Sequence, residues 1–130
     1  MYKLFTDGGS RGNPGPGAIG GVLIQNEKII KTFSKTIGHC TNNQAEYRAI
    51  IKGLEIAKEL EIKELECFLD SELVVKQVNR EFKVKDKDLA VFFVKIWNMK
   101  QEFKRITFTH VPREQNSLAD KLVNQALDSN

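Results

Sequence analysis

The sequence predicts a mixed α/β fold, one sheet that is antiparallel in part, parallel in part and covered by helices. Three observations predict it. The first forty residues carry three β-rich runs before any helix signal, which builds an antiparallel part. Beyond them the patterns alternate as α, β, α, α, β, α, and helical crossovers lay strands parallel. The length of 130 residues, 41% of them hydrophobic, suits one core, so the expectation is a single domain over residues 1–130.

Each element has a local cause. Met1 to Thr6 alternates as a strand and runs into a Gly/Pro-rich stretch, GGSRGNPGPG, read as a loop over residues 8–17. Ala18 to Ile24 and Ile29 to Ile37 read as a hairpin joined by Gln25-Asn26-Glu27. Thr41-Asn42-Asn43-Gln44 is a capping box that opens a helix to about Leu60, with Ala49, Ile50, Gly53, Leu54 and Ala57 on one face. Leu65, Cys67 and Leu69 alternate through a fourth strand that ends at Asp70, and Ser71 caps a short helix through Val78. Leu89, Phe92, Phe93, Ile96, Trp97 and Phe103 predict a helix starting near Asp88, with the aromatics in the core. Arg105 to Val111 reads as a fifth strand stopped by Pro112. Ser117 is expected to cap a last helix whose face is Ala119, Leu122, Val123 and Ala126.

Composition excludes several classes. Nine Gly and three Pro are too few for a collagen-like or low-complexity chain, and no apolar run approaches the roughly 20 residues that span a bilayer. The start, MYKLFTDGG, lacks the pattern of a signal peptide. Two cysteines, Cys40 and Cys67, are too few for a disulfide framework or a four-ligand zinc site, so a reduced, cytoplasmic protein is expected. The net charge of +3 is unevenly spread. Residues 76–105 hold nine Lys/Arg against four acids, while the remainder holds eleven bases and thirteen acids. Such a segment suits a phosphate-rich partner, although a solvated helix face has the same composition.

Most of the seventeen acids lie on solvated helix faces, but four do not. Asp7 ends the first strand and Asp70 the fourth. If those strands are parallel neighbours, both carboxylates emerge about 5 Å apart at the carboxyl edge of the sheet, where α/β sheets bind ligands. Glu46 shares the apolar face of its helix with Ala49, Ile50 and Gly53, where an ionised group needs a partner or a metal. Asp120 lies near the inner face of the last helix. Three residues after Ser117, it is equally a capping-box residue. Converging carboxylates repel unless some stay protonated or a hard cation such as Mg²⁺ joins them.

Four segments, TDGGSRGNPGPGAIG at 6–20, TNNQAEYRAI at 41–50, LDSELVV at 69–75 and HVPREQNSLAD at 110–120, resemble the type 1 ribonuclease H family in its own motif order. The resemblance implies a five-stranded sheet in the order 3-2-1-4-5 and hydrolysis of the RNA strand of an RNA/DNA hybrid, leaving 5′-phosphate and 3′-hydroxyl ends. It implies two Mg²⁺ ions, with Mn²⁺ as a substitute, held by Asp7, Glu46, Asp70 and Asp120. His110 resembles the family's histidine that assists proton transfer or product release. Gly8, Asn13, Thr41, Asn42, Asn43, Gln44 and Asn116 match substrate-binding positions, and a monomer with no membrane partner is expected. The stretch NREFKVKDKD leads straight into the next helix, which resembles the shorter members without a basic protrusion. A binding module without catalysis would lose one of the four acids, and all four are present. Gly15-Pro16-Gly17-Ala18-Ile19-Gly20 satisfies a dinucleotide-binding pattern, but it leads into a strand rather than a helix.

Overall fold

The computed structural model describes residues 1–129. Five strands form one sheet in the order β3-β2-β1-β4-β5. They are β1 (Tyr2–Ser10), β2 (Gly15–Gln25), β3 (Lys28–Cys40), β4 (Glu64–Leu69) and β5 (Arg105–His110). The helices are α1 (Asn42–Glu59), α2 (Glu72–Val78), α3 (Lys87–Lys100) and α4 (Ser117–Asp128), with a 3₁₀ turn over Arg113–Asn116. β1 is central, antiparallel to β2 and parallel to β4.

The main core lies between the sheet and α1, α2 and α3, with Leu4, Ile50, Leu54, Leu65, Val74 and Ile96 almost fully buried. Tyr47 of α1 donates its buried hydroxyl to Gln77 Oε1 of α2 at 2.6 Å, which joins the two helices. On the other face α4 stands alone over Ala18, through Val123, Ala126 and Leu127. Two glycines set how close the helices come. A Cβ on Gly8 would stand 2.3 Å from the carbonyl carbon and oxygen of Ala45 in α1, and one on Gly20 would stand 2.7 Å from Ala119 O in α4. Gly20 is the β2 partner of Asp7. Bare backbone beside Asp7 therefore admits a helix on each face.

Local expectations differ from the structure at several places. The glycine-rich stretch is mostly strand. β1 continues to Ser10 and pairs it with Gly17, with bare Gly8 leaving room for α1 to rest on the strand. The β2–β3 turn is tighter than expected, a two-residue Asn26-Glu27 turn with both φ positive (52° and 65°). α3 begins one residue earlier, at Lys87, because Asp86 caps it by accepting from the Asp88 and Leu89 N–H groups. It ends at Lys100, before Phe103. Trp97 is 36% exposed rather than core, and carries the Arg80 guanidinium 4.8 Å from its ring centre. Cys40 is the buried last residue of β3. Ser117 does not cap α4; it is the first helical residue, and Asn116 occupies the cap position without a side-chain capping bond. No helix among the described residues is long and apolar enough to cross a membrane.

Candidate active site

The β1–β4 ladder pairs Leu4 with Cys67 and Phe5 with Phe68. Continued two residues, this register brings Asp7 level with Asp70, just past β4. The capping box of α1 has both its bonds, Gln44 N–H to Thr41 Oγ1 at 3.1 Å and Thr41 N–H to Gln44 Oε1 at 2.9 Å. That fixed start, lying on Gly8, turns Glu46 toward β1. Carboxylate oxygens of Asp7, Glu46 and Asp70 lie within 4.8 Å of one another. Asp120 is not one of that trio. It lines the same cavity of about 470 Å³ from the first turn of α4. Its capping-box alternative falls away, since Ser117 is not the cap.

Charge is held under tension here. Asp7 and Glu46 are each only 7% exposed. Burial, the largest cause, pushes the Asp7 carboxyl up to about 7; the hydrogen bond with Glu46 opposes this, and Asp70 and Asp120 add to the rise. Glu46 is raised well above the usual carboxyl range by burial first and then by Asp7, with the Gly8 N–H working the other way. Protonated Glu46 donating to ionised Asp7 accounts for both directions. Glu46 Oε2 is buried with no hydrogen-bond partner among the described residues. An all-oxygen donor set with an orphaned buried oxygen fits a hard divalent cation.

The other expected residues divide into groups. Asn13 and Asn42 are brought together: Asn42 N–H donates to Asn13 Oδ1 at 2.9 Å, and Ser10 N–H donates to Asn42 Oδ1 at 2.9 Å. With both amide oxygens engaged, their NH₂ groups remain to meet an acceptor such as phosphate. Thr41 and Gln44 are engaged in the capping box, and Asn43 is half-buried in the first turn of α1. Gly8 lies in the cavity wall under α1. His110 is exposed at the end of β5, opposite Leu69, and near Glu72, whose carboxyl is lowered first by its hydrogen bond and charge contact with Lys76 and to a lesser degree by His110. It is outside the carboxylate trio. Asn116 is buried away from the cavity and donates to Thr6 O at 2.9 Å. Sequence reasoning missed Arg113, which lines the cavity with Nη2 4.0 Å from Asp120 Oδ1 and a side chain 81% exposed. Its one signal is a lone cation inside the HVPREQN segment. Lys83, Lys85 and Lys87 are exposed and form no ion pair among the described residues.

A sheet in this order, with acids gathered on β1 level with the end of β4 and near the start of two flanking helices, defines a ribonuclease H-like α/β protein with a carboxylate site. A family model described as "Reverse transcriptase-like" matches residues 5–126. The crystal structure of RNase H1 from the archaeon Halobacterium salinarum superposes with a TM-score of 0.96 at 42% identity, covering 99% of this chain and 98% of that one. The chain belongs to the type 1 ribonuclease H family, in its compact form. LC11-RNase H1, solved in complex with an RNA/DNA hybrid, is 41% identical with a TM-score of 0.94 over 99% of this chain and 98% of that one. The bifunctional protein Rv2228c of Mycobacterium tuberculosis is 42% identical over 128 residues, 97% of this chain. The chain spans about a third (35%) of that relative and 63% of the curated Halobacterium ribonuclease HI.

Proposed function

We propose that this chain is a metal-dependent endonuclease that hydrolyses the RNA strand of RNA/DNA hybrids, leaving 5′-phosphate and 3′-hydroxyl ends. One observation carries the reading: a carboxylate trio, with Asp7 and Glu46 buried and Asp70 half-buried, that holds an orphaned Glu46 oxygen and faces a cavity shared with Asp120. Asp7, Glu46, Asp70 and Asp120 would hold two Mg²⁺ ions, or Mn²⁺ in their place. When bound, such ions lower the pKa of water and stabilise charge on a phosphodiester in flight. The proton kept between Asp7 and Glu46 would be displaced by ions held there. The Asn13 and Asn42 amides, with Thr41 and Asn43 around the N-terminus of α1, bind backbone phosphate and 2′-hydroxyl oxygens, which selects strand type rather than base sequence. Gly8, whose bare side α1 covers, meets the cleaved strand only through its backbone in the cavity wall. His110, exposed at the end of β5, assists by giving a proton to the leaving 3′-oxygen. Residues 1–130 act as one ribonuclease H domain, a cytoplasmic monomer with reduced thiols at Cys40 and Cys67.

The deciding experiment is incubation of an end-labelled RNA/DNA hybrid with Mg²⁺, beside duplex DNA and duplex RNA. Internal RNA cuts in the hybrid are expected; none at any divalent concentration would defeat the reading. The basic segment has its own test. Replacing Lys83, Lys85 and Lys87 with Gln should weaken hybrid binding and reduce the slope of log K against log salt by about 2. An unchanged slope would make those lysines solubilising surface.

A further inference from the structure

The bond between Asn116 and Thr6 takes no part in the chemistry above. Thr6 lies one residue past the last β1–β4 pair, Phe5 with Phe68, where the strands part to present Asp7 and Asp70. It is 1% exposed, so its carbonyl, leaving the ladder there, needs a partner. Asn116 Nδ2 supplies one at 2.9 Å from 110 residues away in the chain. That side chain is diverted from a nearer use. Asn116 stands at the cap position of α4, where Asn ordinarily accepts from the first helical N–H groups, yet it makes no capping bond. Its own Oδ1 and Thr6 Oγ1 are both buried without partners. A lost cap and two unsatisfied oxygens in one place mark a site where geometry outranks local stability.

Several contacts hold α4 on the sheet. Bare Gly20 sets its height, Ala18 packs under Val123, Ala126 and Leu127, and Ser34 Oγ donates to Leu122 O at 2.6 Å. These fall on the helix from Ala119 onward. The Asn116–Thr6 bond holds its start against β1, and it stands one residue before Asp7 on β1 and one turn before Asp120 on α4. We infer that Asn116 is a positioning residue, which holds Asp120 in register with Asp7 and does not contact the substrate. The inference rests on the carboxylate reading above and replaces the substrate-binding role that the family resemblance implies for Asn116.

The test uses Asn116→Ala and Asn116→Asp, the second isosteric but without an N–H donor. Each is compared with the wild type at a temperature well below its own Tm. Mg²⁺ binding is measured by calorimetry without nucleic acid, and hybrid cleavage by steady-state kinetics. Both variants should bind Mg²⁺ at least fivefold more weakly and lose at least tenfold in kcat, with KM for the hybrid within twofold. A raised KM at unchanged Mg²⁺ affinity would return Asn116 to the substrate and overturn the inference. A lower Tm with kcat and Mg²⁺ affinity both unchanged would overturn it too, leaving a structural tie alone. If the wild type binds Mg²⁺ but cuts no hybrid, the nuclease reading fails while the calorimetry still decides Asn116.

Discussion

Asp7→Asn is expected to cleave hybrid at least ~10³-fold more slowly than the wild type and, without metal at about pH 8, to be the more stable protein. The first effect follows from removing a carboxylate of the trio, which forfeits several kcal/mol of charge stabilisation in the reaction. The second follows from the raised Asp7 carboxyl. Burial and its acidic neighbours lift it to about 7 in the folded chain, against about 3.9 when unfolded. Between those values the folded state keeps a proton that the unfolded state has lost. Metal-free stability therefore falls as pH rises from about 4 to about 7, then levels off. Asn carries no charge to bury and still accepts from Glu46, so the variant escapes that fall. A gain of about 2 kcal/mol at pH 8 is expected, half of what an uncoupled shift of that size would give. Melting curves over pH 4–8 with a chelator check it: the gap between variant and wild type should open with rising pH. Adding Mg²⁺ should stabilise the wild type more than the variant. A variant less stable than the wild type at pH 8, or one still cutting hybrid, would show the tension is elsewhere.

The sequence made local features legible, and the sites that depend on two distant segments were not. Element types followed from short-range causes such as the Thr41–Gln44 box and the alternation at Leu65–Leu69. Asp7, Glu46 and Asp70 were legible because each lacked a local partner, whereas Asp120 had a capping-box alternative at Ser117 and was singled out by the family resemblance. Element ends were misjudged where a distant contact overrode local chemistry. Glycines that read as a loop are strand because α1 rests on Gly8 and the ladder with β2 runs on to Ser10. Ser117 is not the cap because a 3₁₀ turn runs into it and makes it the first helical residue, while Asn116 at the cap position spends its side chain on β1. Asn116 resembled a substrate contact in one dimension and is buried in three. Arg113 had no periodicity or pairing to announce it, and its meeting with Asp120 exists only once the 3₁₀ turn brings the two together.

Gly8→Ala should disable the site without touching a carboxylate. An added Cβ would stand 2.3 Å from the carbonyl carbon and oxygen of Ala45 and 2.6 Å from Glu46 N. These are backbone atoms of a capped helix, which cannot swing aside as a side chain can, so relief requires α1 to lift or tilt by on the order of 1 Å. The first turn that moves is the one that carries Glu46. A loss of about 3 kcal/mol in stability is expected from the overpacking, with kcat reduced about 10²-fold or more by the misplaced carboxylate. Gly9→Ala is the control for stability, because its nearest neighbours would be Asn42 Oδ1 at 3.7 Å and Val123 Cγ1 at 3.9 Å, ordinary contacts. Gly8 is not among the glycines with positive φ, so the expected cost is purely steric. Urea unfolding of both variants separates the two positions, and Mg²⁺ calorimetry on the folded fraction of the Gly8 variant reads the displacement of Glu46 directly. If Gly8→Ala unfolds within about 1 kcal/mol of the wild type and binds Mg²⁺ normally, α1 does not rest on β1 as described, and Glu46 owes its place to the capping box alone.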